Sequence, residues 1–176
     1  MSLQLLLYPH SSLSTPTKFV EKIDEDTISL IQLMKIALKT EHAKGIAANM
    51  FGIDQSIIII EYPDNEECLV LINPKITYFS SQTQTIKEAS ICLPGVAAEI
   101  TRPSKITVTY TNINNENIEL EAEGMLATII QHEMDYLAGK IYIDHLSKLK
   151  KDLLVTKFKK FIKTHVPHVH SASCTH

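Results

Sequence analysis

The chain has few cysteines, no long apolar run and no surplus of one charge, and each absence narrows what it can be. Three cysteines in 176 residues (Cys68, Cys92 and Cys174) are too few and too widely spaced for a disulfide framework or a paired-cysteine metal site. That shortage suits a reducing compartment. No stretch approaches the roughly 20 apolar residues that cross a bilayer. Met1 to Leu7 lacks a basic start, and its apolar run is too short for a secretory leader. A formal net charge of -3 argues against wholesale binding to DNA or to a membrane surface. These exclusions leave the cytoplasm as the expected location. No repeat or shift in composition marks a boundary, so a single domain is expected over residues 1–164. The remainder, 165–176, holds four histidines and little apolar content, and reads as a mobile tail.

What is present is an ordinary globular composition, 44% apolar and 21% charged. Asp24 to Ala43 has helical spacing in Leu30, Ile31, Met34, Ala37 and Leu38, with Asp24 or Asp26 as cap and Gly45 expected to take the left-handed turn beyond it. Ser56 to Ile60 and Cys68 to Ile72 read as strands buried on both faces, the second stopped by Asn73-Pro74. Lys105 to Thr111 alternates as a half-buried strand, and a polar turn leads to another at Ile118 to Ala122. Gly124 opens a second helix that Gly139 ends, with Met125, Leu126, Ile129, Ile130 and Leu137 on its packed side. A third helix is expected from Ser147 to Lys163, with a stripe of Leu154, Phe158, Phe161 and Ile162 and a face of lysines. Strands outnumber helices without regular alternation, which predicts α+β: small antiparallel sheets around the second helix, then a C-terminal helix.

That second helix carries His132-Glu133-Met134-Asp135-Tyr136. In the zinc-hydrolase motif H-E-x-x-H, two histidines one turn apart hold a metal and the Glu serves as base on its bound water. Here the fourth position on is Tyr136, a protonated phenol and a poor ligand at neutral pH.

The wider block, Gln131 to Gly139, resembles the peptide deformylase signature Q-H-E-x-D-H-L-x-G. Two further blocks resemble the same family in order: Gly45-Ile46-Ala47-Ala48-Asn49-Met50 and Glu88-Ala89-Ser90-Ile91-Cys92-Leu93-Pro94-Gly95. The resemblance spans roughly residues 3 to 163. It implies the peptide deformylase fold and removal of formyl from the N-terminal formyl-Met of new polypeptides. It also implies iron or zinc held by one Cys and two His, a Glu as acid/base, and an oxyanion site from a Gln and a backbone N–H. Carried over, Glu133 keeps the acid/base position, His132 keeps one ligand position, and Ile91 falls at the backbone oxyanion position. Gly45 and Arg102 fall at substrate-binding positions. The Gln is Met50, the Cys ligand is Ser90, and the second His is Tyr136.

Met50 donates no hydrogen bond, and neutral hydroxyls are weak ligands. One imidazole does not retain a metal where three or four donors are usual. Cys92 is a candidate substitute ligand, because residues two apart on an extended strand share a side. No tightly bound metal is expected, with iron or zinc if the site is rebuilt. Three readings follow: a deformylase-like protein inactive or strongly impaired; a metal hydrolase rebuilt around Cys92 or a carboxylate; or a non-catalytic binder. The binder takes formyl-Met or other N-terminal peptides, or docks on the ribosome through the lysine helix, the latter partner being one the family implies. Against these stand plainer roles: His132 bonded to a backbone carbonyl in the core, Glu133 held by Arg102 or the Tyr136 hydroxyl, Ser90 bonded to Tyr136, Glu88 a packing and hydrogen-bonding residue, and the lysines a solvated face.

Overall fold

The computed structural model describes residues 2–61 and 67–165. Residues 166–176, and with them nearly all of the expected tail, lie outside that range; His165 itself is the last residue of a helix.

Helix α1, Glu25–Thr40, begins where the Asp24 carboxylate accepts a hydrogen bond from the Thr27 N–H at 3.0 Å. It buries Ile31, Met34, Ala37 and Leu38. The left-handed residue after it is His42, with φ 52, and not Gly45. Gly45 instead starts strand β1, Gly45–Ala47, and its missing side chain serves the site described below.

A short 3-10 turn, Ala48–Phe51, leads towards β2, Ile57–Ile60, whose four isoleucines are fully buried. Strand β3, Leu69–Phe79, does not stop at Asn73-Pro74. Asn73 takes φ 51, and the pairing with the neighbouring strand shifts between Ile72 and Lys75. The break is therefore a bulge, which accommodates a proline that has no N–H to give the ladder. Asn73 also donates to and accepts from the Val20 backbone at 2.9 and 2.8 Å, which holds the bend in place.

Strands β4, Thr83–Ser90, and β5, Leu93–Pro103, form a separate two-stranded antiparallel sheet. Sequence periodicity did not reveal this hairpin, because Thr83-Gln84-Thr85-Ile86-Lys87 offers one apolar residue in five. Strands β6, Lys105–Thr111, and β7, Asn117–Glu123, complete the larger sheet in the order β1-β2-β3-β6-β7, every pair antiparallel.

Helix α2, Gly124–Leu137, packs against β1, β2, β7 and β5 and is covered nearly all round. Thr128, Gln131, His132, Glu133 and Tyr136 are buried, as are Ala127 and Ile130, so the side that reads as polar is an interior face. Met125 departs from expectation: it is 56% exposed, at the mouth of a cleft. Helix α3, Lys148–His165, lies on β5 and buries Leu154 and Phe158. Phe161 rests on Gly95, where an added Cβ would come within 2.4 Å of the ring. The architecture is the expected α+β arrangement around a central helix. Among the described residues no helix is long and apolar enough to cross a membrane.

Candidate functional site

Three elements converge beside α2. The 3-10 turn after β1 supplies Met50, the turn between β4 and β5 supplies Ser90 to Cys92, and α2 supplies His132, Glu133 and Tyr136. Asn49, 2% exposed, donates to the Tyr136 carbonyl and so ties the first element to the third.

The Ser90 hydroxyl and the Tyr136 phenol share a hydrogen bond of 2.5 Å, and the Cys92 N–H donates to Ser90 Oγ at 3.2 Å. Strand β4 ends at Ser90, so Ser90 and Cys92 are not successive outward positions of a straight strand; Ile91 and Cys92 make the turn. Burial raises the Tyr136 phenol well above the ordinary range. Burial likewise pushes the Cys92 thiol up to about 12, against hydrogen bonds with Tyr136 and Ser90 that act to lower it. At neutral pH these groups are all protonated.

His132 is satisfied by a carboxylate and not by a backbone carbonyl: its Nδ1–H donates to Glu88 Oε2 at 2.8 Å. Tyr142 stacks on the imidazole, ring centres 5.7 Å apart. Burial opposes a charge on His132, but the bond to Glu88 and the field of Glu133 raise its pKa overall. Arg102 grips Glu88 through two bonds of 2.6 and 3.0 Å and reaches Asp135 at 2.9 Å. The His145 imidazole also donates to Asp135, at 2.7 Å. Burial disfavours the Glu88 carboxylate, yet its bonds with His132 and Arg102 outweigh that and hold its pKa low. Arg102 is thus 4% exposed beneath the cleft and forms no part of its wall. Its expected contact with substrate gives way to a structural role, since two carboxylates satisfy its guanidinium.

Glu133 is held by neither Arg102 nor Tyr136. Its Oε2 is buried without a hydrogen-bond partner among the described residues. Burial pushes its pKa up to about 7, with His132 acting to lower it and Glu88 to raise it. Gly45 lies against it, and a Cβ there would come 2.8 Å from Oε1. Glu133, Gly45, Met50, Ser90, Ile91 and His132 all line one cleft of about 730 Å³, whose apolar wall includes Ile86, Met125 and Ile129. Sequence reasoning missed those three wall residues, and also the Asp135–His145 arm. Asp135 inside the quoted motif was the available signal.

The implied metal can be tested against these donors. Two of its three ligand positions are hydroxyls bonded to each other, and the third is one imidazole. Cys92 is fully buried with its proton held. Among the described residues no three His, Cys, Asp or Glu side chains converge as a metal site. The residues present do not fit iron or zinc.

The unpaired Glu133 has a consequence for stability. A carboxyl whose folded pKa exceeds its unfolded value of 4.5 favours the fold below that value and loses the contribution as pH climbs to about 7. Glu133→Gln should therefore gain on the parent between about pH 5 and pH 8, by up to about 3 kcal/mol at roughly 1.4 kcal/mol per unit. Urea unfolding at both pH values measures it; a constant difference refutes it.

The polypeptide deformylase family model matches residues 2–152. A peptide deformylase-like protein of Rickettsia conorii is 41% identical over 175 residues, covering 98% of this chain and 96% of the relative. The peptide deformylase of Bartonella henselae is 35% identical, covering 90% and 92%. The crystal structure of a peptide deformylase from Legionella pneumophila superposes with a TM-score of 0.88 at 29% identity, covering 95% of this chain and 100% of that one. A peptide deformylase from Synechococcus elongatus, solved with actinonin, gives 0.84 at 31% identity, covering 88% and 86%. With its three sequence blocks gathered around one helix as the fold requires, this chain belongs to the polypeptide deformylase family.

Proposed function

We propose that this protein keeps the deformylase fold and a cleft for peptide N-termini, and does not remove formyl groups by metal-assisted hydrolysis. The observation that carries this reading is the Ser90–Tyr136 hydrogen bond. Two protonated hydroxyls satisfy each other at the two positions where the family resemblance implies a thiolate and an imidazole. Met50 adds to it: a thioether cannot donate to the oxyanion of a tetrahedral intermediate. Rebuilding a site around Cys92 would require a thiolate that burial opposes. His132 and Glu133 remain in the wall, where they shape a binding pocket of ordinary ligand size.

The test uses protein purified without refolding or added metal. Elemental analysis should find iron and zinc far below one per chain, and a formyl-Met peptide should release no formate above the buffer rate. Stoichiometric metal together with formate release defeats the reading.

Docking of α3 on the ribosome, in the cytoplasm, is a second reading. Its support is the exposed lysine-rich side of the helix, Lys150, Lys157, Lys159, Lys160 and Lys163, together with Leu149 at 70% exposure. Phosphate contacts weaken steeply with salt, so co-sedimentation with ribosomes at low salt decides it; none at low salt removes it.

A further inference from the structure

Of the three carboxyl groups gathered at the buried face of α2, two have cationic or imidazole partners. Glu88 is bonded by Arg102 and His132, and Asp135 by Arg102 and His145. Glu133 is the exception: its Oε2 is buried and has no hydrogen-bond partner among the described residues. The residue nevertheless forms part of the cleft wall. A buried carboxyl left unpaired is costly, so a ligand that brings a positively charged donor to it is favoured by relief of that cost. Gly45 makes room for this carboxyl at the cleft wall, since even a methyl there would sit 2.8 Å from Oε1.

A formyl or acetyl cap brings no cation to Glu133 and presents a carbonyl oxygen instead. Met50, where the resemblance implies a Gln, supplies no donor to that oxygen, which leaves the Ile91 backbone position as the one oxyanion donor the resemblance still implies there. The remaining wall, Ile86, Ile91, Met125 and Ile129, suits an apolar side chain carried next to the charged group.

We propose that the cleft selects peptides with an unblocked N-terminus and an apolar first residue, the α-ammonium donating to Glu133 and the first side chain lying against Ile86, Met125 and Ile129. The proposal rests on the non-hydrolytic reading above and names which N-termini such a cleft takes. It turns the family's implied preference around: the blocked chain end is the weaker ligand and the processed end the stronger.

The experiment is isothermal titration of the full chain with three synthetic peptides that start with Met and differ only in being unblocked, formylated or acetylated. The unblocked peptide should bind about tenfold more tightly than either capped one, the scale of one charge-assisted hydrogen bond. Glu133→Gln, checked for an unchanged fold by circular dichroism, should erase that preference, and Met50→Gln should tighten the formylated peptide. Equal or tighter binding of the formylated peptide overturns the proposal. So does absent binding of the unblocked peptide, or a preference that survives in Glu133→Gln. Formate released during the titration overturns the non-hydrolytic reading itself, and is measured separately in the same cell.

Discussion

Ser90→Cys and Tyr136→His, made together, are expected to yield a chain that carries about one zinc ion per molecule, the ordinary occupancy of a three-ligand protein site, where the parent is expected to carry far less. The geometry for this is already in place. The two hydroxyls meet at 2.5 Å, so side chains at these positions point at one spot. His132 is one helical turn before residue 136, and its Nδ1–H is already oriented by Glu88. A carboxylate behind a ligating imidazole is the usual second layer of such sites. Replacing a fully buried tyrosine by the smaller histidine should cost about 1–3 kcal/mol in the metal-free state, and metal binding should offset it. Adding Met50→Gln supplies one donor for developing charge, worth about 10²–10³ in formyl-peptide turnover where that donor acts on the transition state. Elemental analysis and the thiolate absorption of the cobalt form read the first effect, and formate release reads the second. A double variant that folds and still takes up no metal would mean that the surrounding frame has also drifted.

Arg102→Met is expected to destabilise the fold strongly. The Arg102 side chain is 5% exposed and its guanidinium bonds two carboxylates, and its removal leaves Glu88 with His132, and Asp135 with His145, as the remaining partners among the described residues. Stripping one member from a buried ion pair costs about 3–5 kcal/mol. The loss should appear as a lower denaturant midpoint with an unchanged slope. Its pH dependence follows from Glu88, whose folded pKa lies below its ordinary 4.5. Such a group stabilises the fold above 4.5, and the contribution fades as pH falls below that value. The gap between parent and variant should therefore be full at neutral pH and shrink on acidification. Adding Glu88→Gln to Arg102→Met should recover part of the loss, since the orphaned charge is then gone. A variant within about 1 kcal/mol of the parent would show the network to be dispensable.

The elements most legible in the sequence were those whose own residues carry the period of their structure. Lys105 to Thr111 alternates cleanly and forms β6 over the same residues, and Gly124 opens α2 as read. The hairpin β4–β5 was not legible, because its partners are local backbone groups and its polar side chains carry no apolar period. Asn73-Pro74 misled for a physical reason: a bulge and a strand end use the same residues, and only the neighbouring strand distinguishes them. The candidate site residues came from the family resemblance, and the geometry brings Met50, Ser90, Ile91, His132 and Glu133 together at one cleft. What the string could not give was pairing. Whether Arg102 answers Glu133 or Glu88 depends on sub-ångström placement across three elements, and it answers Glu88.

The bond between Ser90 and Tyr136 also bears on how this lineage can change. Ser90→Cys alone sets a thiol against a phenol, and Tyr136→His alone sets an imidazole against an alcohol. Each step replaces the present Ser90–Tyr136 bond with another pairing, and neither completes a cage for an ion. A stepwise route to a metal-binding trio at these positions therefore passes through one of two single variants, each without the present Ser90–Tyr136 bond and without a complete ligand set.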